Sequence, residues 1–188
     1  MIQMQMSLGE VLRLTLFGTS HGPLVGAFLE GVPAGISIDF PKLETLMNER
    51  RPGGRYASKR REPDNVKFLS GVDNGITTGG KIEISIKNKD VRTKDYSFLP
   101  DHPRPGHQDM VMMKKTDGEA DLRGGGMSSA RLTAPIVAAS AIITPLIEQL
   151  GININAHVCS VGTIDSKPLG ECEPKWETEE CRDIRCQD

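Results

Sequence analysis

Apolar and polar positions alternate in short runs along this chain, and most runs end at glycine, proline or a charged cluster. Residues 11–17 (VLRLTLF) are apolar and β-branched enough for a strand that Gly18 ends. Residues 24–30 (LVGAFLE) predict a second strand, closed by the turn signal VPAG at 32–35. Asp39 is placed to cap a helix running to about Arg50, with Leu43, Leu46 and Met47 on one face. Residues 51–65, rich in Gly, Pro and Arg, read as a loop. Residues 66–69 and 81–87 predict two strands around a Gly-rich turn; Ile82, Ile84 and Ile86 alternate with polar residues, so the second has one buried and one wet face.

Residues 88–127 have weak periodicity, and a loop of that length in a compact domain carries function or conceals a further element. Ser128 and Ser129 predict the start of a helix toward Leu150, stopped by Gly151. Its uncharged stretch, 132–147, predicts burial on every side, and Pro145 predicts a kink or an early end. Residues 152–161 alternate again and read as a strand. After Ile164 the pattern fails, leaving a weakly structured tail, 165–188, with eight acids, four bases and three cysteines. The order β-β-α-loop-β-β-long loop-α-β predicts an α+β layered fold with a largely antiparallel sheet in residues 1–164.

The length of 188 residues admits one domain, or one domain with an appendage. Aromatic residues are only 4%, so the core must rest on Leu, Ile, Val, Met and Ala. A net charge of −2 disfavours a globally basic nucleic-acid binder. The charge is segregated, however: residues 50–131 carry seventeen basic and eleven acidic side chains, and the remainder is net −8. An Arg-rich island in an acidic chain suits a small anionic ligand better than a long polyanion. With no basic n-region before an apolar stretch and no uninterrupted membrane-length apolar run, a cytoplasmic protein with no membrane partner is expected. Cys159, Cys172, Cys181 and Cys186 match no zinc spacing, so no metal site is expected and free thiols are.

Three clusters carry candidate chemistry. GTSHG at 18–22 lies between two strands, where flanking glycines let the chain turn sharply and bring the His21 imidazole to a ligand; the bland alternative is a tight hairpin with an exposed histidine. The loop RRPGGRY at 50–56, continuing to Arg60 and Arg61, offers guanidinium groups that clamp phosphate or carboxylate bidentately, against the alternative of a solvated charged loop. RPGH at 104–107 and RGGGMSSAR at 123–131 combine a histidine, three glycines and a helix start that could cradle an anion. The second lacks the Gly-Lys-Ser/Thr of a Walker motif. His21 and His107 are both able to donate a proton near neutral pH.

Together, FGTSHG (17–22), EGVPAGISID (30–39), RRPGGRY (50–56), KRREPD (59–64), SGVDNGITTG (70–79), RPGH and RGGGMSSAR resemble chorismate synthase in order and approximate spacing, over about residues 8–164. The resemblance implies a β-α-β sandwich core, of which this length holds about half, and a homotetramer acting on a small-molecule substrate without nucleic acid. It implies anti-1,4-elimination of phosphate from 5-enolpyruvylshikimate 3-phosphate with reduced FMN, NADPH being a candidate reductant of the flavin. By motif match, His21 would protonate the departing phosphate and His107 would sit near the flavin. Arg50, Arg55, Arg104 and Arg131 would bind substrate, and Met127, Ser128 and Ser129 would contact the flavin. The family usually has Glu where Thr19 stands and commonly Arg where Met127 stands, and its members run about twice this length. A competing expectation is therefore an inactive remnant or interaction subunit of that family. A third, a polyanion-binding module using 50–61, is disfavoured by low aromatic content and overall acidity.

Overall fold

A computed structural model of the chain describes residues 6–51, 60–171, 178, 185 and 186. Two compact units emerge, one of residues 1–51 and 61–146, the other of 52–60 and 147–188. The first unit is built on a five-stranded sheet of order β1-β2-β3-β8-β5, formed by β1 (Met6–Leu8), β2 (Arg13–Gly18), β3 (Leu24–Glu30), β5 (Val66–Ser70) and β8 (Ile82–Lys87). Every neighbouring pair is antiparallel, as the alternation predicts. A second sheet of order β4-β7-β6 joins β4 (Ala34–Ser37), β6 (Val72–Asp73) and β7 (Ile76–Thr78). The strand predicted at 24–30 is found with those bounds, and β6 and β7 form a small hairpin inside the predicted Gly-rich turn.

One face of the large sheet forms the core. Val25, Ala27 and Leu29 of β3 stand beside Ile82, Ile84 and Ile86 of β8, all fully buried. Each large aliphatic side chain there contributes about 1.5–3 kcal/mol by leaving water. Helix α1 (Phe40–Arg50) adds Leu43 and Met47 to the same cluster, and the Asp39 carboxylate accepts from the Lys42 N–H at 2.9 Å as its cap. Helix α3 (Thr133–Glu148) adds Ala134, Ala138, Ala139, Ala141 and Ile142.

Several expectations are corrected. Residues 88–127 contain α2 (Asp109–Lys115) and a 3₁₀ segment, Thr93–Tyr96, and end in a turn kinked by the non-helical Gly124, Gly125 and Gly126. At seven residues, α2 is too short to impose a period on the sequence. Ser128 and Ser129 do not begin the α-helix directly; Ser129 accepts from the Arg131 N–H and caps a 3₁₀ turn, Ala130–Leu132, that leads into α3. Pro145 neither ends nor shortens α3, which continues to Glu148; near a C-terminus proline forfeits only one backbone bond. Nor is α3 buried all round: Ile136 is exposed, and Val137, Ile143 and Leu146 are half-buried, because these described residues cover only its alanine side. The stretch Arg123–Glu148 is by length and composition apolar enough to cross a membrane. Arg131 interrupts it with a buried ion pair, however, and its alanine stripe packs in the core.

In the second unit the strand predicted over 152–161 is absent except for β9 (Ser160–Val161), which pairs with β10 (Ile164–Asp165). Ile152 and Ile154 are exposed; alternation specifies a strand only where a partner edge and a core face exist to receive it.

Candidate active site

The turn after β2 is shaped by Gly18, whose φ is +86°; a Cβ there would stand 2.3 Å from the Leu24 carbonyl oxygen. That turn delivers His21 into the protein, where the ring is buried. Tyr96, at the end of its 3₁₀ turn, meets the imidazole edge-on with centroids 4.8 Å apart. On the other side lies the triple glycine. Gly124, Gly125 and Gly126 all have positive φ, and the Gly126 carbonyl accepts from the Ser20 N–H at 3.1 Å. The glycine-hinged turns at 18–22 and 124–126 are thus tied together through the backbone.

His107 sits at the same place. A Cβ on Gly125 would lie 3.8 Å from His107 Cε1 and 3.7 Å from Ser129 Cβ. Gly125 therefore faces both of these residues. The His107 Nδ1 is 2.7 Å from Asp109 Oδ1, which orients the ring and turns Nε2 away from that carboxylate. The buried Asp109 also receives both Nε and Nη2 of Arg104, each at 2.8 Å, and the Arg104 guanidinium lies 5.5 Å from the centre of the Tyr96 ring. Hydrogen bonding from Arg104 holds the Asp109 carboxyl well below the usual carboxylate range, with His107 adding to the effect against the opposing influence of burial.

A second group of charges is built around Asp64, which is fully buried at a positive φ of 49°. Its two oxygens receive different guanidiniums: Arg50 Nη1 donates to Oδ2 at 2.6 Å, and Arg131 Nη1 donates to Oδ1. Arg50 Nε reaches Thr133 Oγ1 at 3.4 Å. Arg131 Nη2 lies 4.0 Å from Glu62, beyond hydrogen-bonding distance. Glu62 accepts from the N–H groups of Lys89 and Asp90. Asn88 joins the two groups, accepting from Arg131 Nε and donating to carbonyls of the His21 turn.

Thr19 donates to Asp121 Oδ2 at 2.8 Å, and Arg123 forks onto the same carboxylate, Nε to Oδ1 at 2.8 Å and Nη2 to Oδ2 at 3.0 Å. Burial would raise the Asp121 carboxyl, but hydrogen bonds from Arg123 and Thr19 outweigh it and leave it below its ordinary value. A carboxylate therefore stands beside residue 19 although the side chain there is a hydroxyl. Beyond it, a cavity of about 1060 Å³ extends over the outer face of β2 and β3, bounded by Phe17, Thr19, Phe28, Met112, Asp121 and Met127 among others.

The structure thus brings His21, His107, Arg104 and Ser129 around the triple glycine, and Arg50 and Arg131 around Asp64. Met127 is half-buried between the cavity and the core, and Ser128 is exposed. Arg55 falls outside the described residues, as do Cys172 and Cys181. Sequence motifs did not single out Asp64, Asn88, Tyr96, Asp109 or Asp121. Asp109 had a local signal, a carboxylate two residues from His107. Asp64 had another, an acid inside an Arg-rich loop at a position whose left-handed backbone Asp tolerates. Among the described residues, no group of three or more His, Cys, Asp or Glu side chains is placed to hold a metal ion.

Fold and cluster together define an α+β protein that gathers imidazoles and guanidiniums on glycine-shaped turns, a set of donors chemically suited to an anion. Comparison with known proteins narrows this class. The family model described as chorismate synthase matches residues 12–188, and the chain belongs to that family. It is similar to the chorismate synthase of Aeropyrum pernix, with 46% identity over 161 residues, 86% of this chain and 42% of that protein. The chorismate synthase of Campylobacter fetus subsp. fetus is 45% identical over 161 residues, 86% of this chain and 45% of the relative. Among solved structures, a crystal structure of chorismate synthase superposes with a TM-score of 0.59 at 26% identity, covering 84% of this chain and 40% of that one. The chain therefore spans less than half the length of the relatives it matches.

Proposed function

We propose that this chain carries part of the active site of a chorismate synthase, which eliminates phosphate from 5-enolpyruvylshikimate 3-phosphate in the anti-1,4 sense to give chorismate. The observation that supports this reading best is the convergence of His21 and His107 on neighbouring glycines, Gly124 and Gly125, with Arg104 anchored alongside. In the reaction the C–O bond to phosphate breaks and a ring proton is lost, so the site must accept a multiply charged anion and supply an acid to it. His21 has the chemistry to give that proton to the departing phosphate. Arg50, Arg104 and Arg131 have their guanidiniums pre-oriented by Asp64 and Asp109, which lowers the entropy lost on gripping phosphate and carboxylate. Arg55 belongs to the same proposed substrate set by its motif.

Reduced FMN, when bound, supplies electron density to the reaction without net redox change. His107 and Ser129, which meet at Gly125, together with Met127 and Ser128 are the residues we assign to hold it. The reading also carries a cytoplasmic homotetramer and NADPH as the reductant of the flavin.

The test is anaerobic phosphate release from 5-enolpyruvylshikimate 3-phosphate in the presence of reduced FMN, with the chain as given and its His21→Ala and Arg50→Ala variants. Release that falls at least tenfold in either variant is expected (~1.4 kcal/mol in barrier). Equal release by all three would overturn the assignment. Thr19 and Met127, standing where the family usually has Glu and commonly Arg, support a second reading, a family member that binds without turnover. Spectral change on titration with reduced FMN and substrate, unaccompanied by phosphate release, would select it.

A further inference from the structure

Asn88 touches both halves of the cluster. It follows β8, and the register pairing Leu24 with Lys87 sets it against the turn that carries His21. Its backbone N–H donates to the Pro23 carbonyl at 3.0 Å. Its Nδ2 donates to the carbonyls of Thr19 at 3.0 Å and Gly22 at 2.8 Å, and its Oδ1 accepts from Arg131 Nε at 2.9 Å. The orientation of the amide follows from chemistry, since two carbonyls require the NH₂ and a guanidinium N–H requires the oxygen.

We propose that Asn88 is a positioning residue that couples the His21 imidazole to the Arg131 guanidinium, so that both engage one phosphate group. The proposal rests on the reading of this site as phosphate-binding. A side chain that merely closed the end of the hairpin would need only the two carbonyls, which flank His21 at positions 19 and 22. The third bond reaches across 43 residues to Arg131, a buried guanidinium whose Nη1 is fixed by Asp64. Asp64 in turn holds Arg50. An unbroken chain of hydrogen bonds therefore runs from the His21 turn through Asn88, Arg131 and Asp64 to Arg50. Removing the amide breaks this chain between the His21 turn and the guanidiniums, while leaving every charge in place.

The experiment uses inorganic phosphate as the probe and the chain as given. Affinity is measured for His21→Gln, Arg131→Lys and their combination, first with Asn88 present and then in the Asn88→Ala and Asn88→Asp backgrounds. With Asn88 present, the double variant is expected to depart from the product of the single effects by about three- to tenfold. In the Asn88→Ala background the departure is expected to fall below about twofold. Asn88→Asp is isosteric and keeps an oxygen for Arg131 but loses the donor to Thr19 and Gly22, so it is expected to abolish the coupling as well. Persistence of the coupling in both folded Asn88 variants would overturn the proposal.

If the chain with Asn88 present binds no phosphate, the phosphate reading fails, and Asn88 is then judged by imidazole NMR signals. Arg131→Lys is expected to shift the His21 ring resonances when Asn88 is present and leave them unmoved in Asn88→Ala. An equal shift in both backgrounds, or none in either, would overturn the coupling independently of the ligand.

Discussion

Gly124 lies so close to the imidazole of His21 that a Cβ at that position would stand 2.4 Å from both Cε1 and Nδ1 of the ring. The glycine at φ +57° is therefore a wall of the histidine's pocket as well as a backbone hinge. Gly124→Ala is expected to cost about 1–3 kcal/mol of stability through backbone strain and to displace the ring. Urea unfolding measures the first, and the His21 ring resonances report the second.

Asp109 is held below its ordinary titration range chiefly by Arg104, so its ionised form stabilises the fold at every pH above the unfolded carboxyl value, near 3.9. That contribution drains away as pH falls from about 4 through the lower folded value. Asp109→Asn is expected to be less stable at neutral pH and to lose less on acidification than the unaltered chain. Parallel denaturant titrations between neutral pH and strong acid test both directions.

Asp64 accepts from two guanidiniums at once in a fully buried setting. Asp64→Ala leaves Arg131 with Glu62, at 4.0 Å, as its nearest carboxylate among the described residues, and a loss of about 3–5 kcal/mol is expected. Asp64→Asn is expected to be milder, since asparagine tolerates the left-handed backbone and can still accept a hydrogen bond. Equilibrium unfolding of the two variants gives the order.

Thr19 supplies one of the hydrogen bonds that depress Asp121. Thr19→Val is expected to raise the Asp121 titration point and to cost about 1 kcal/mol. Carboxyl ¹³C titration and thermal unfolding read these separately.

Much of this was legible in the chain because the signals are local. The alternation of Ile82, Ile84 and Ile86 marks a strand with a buried face, and Asp39 before an amphipathic run marks a helix start. Histidine between glycines marks a turn with chemistry, and three consecutive glycines mark a backbone that no other residue adopts cheaply. Failures came where the deciding force was not local. Residues 152–159 alternate but pair with no strand among the described residues, α2 is too short to show a period, and Pro145 lies late enough in α3 to be tolerated.

The sequence by itself determined which turns are sharp, which strands have a core face, and which side chains can carry protons and anions, since these depend on dihedral preference and side-chain chemistry within a few residues. Only the tertiary structure decided that Asp64 holds Arg131 and that Asn88 links the His21 turn to Arg131. Those contacts join positions 43 to 69 residues apart, and their pairing is settled by strand register and by the cost of burying an unpartnered charge.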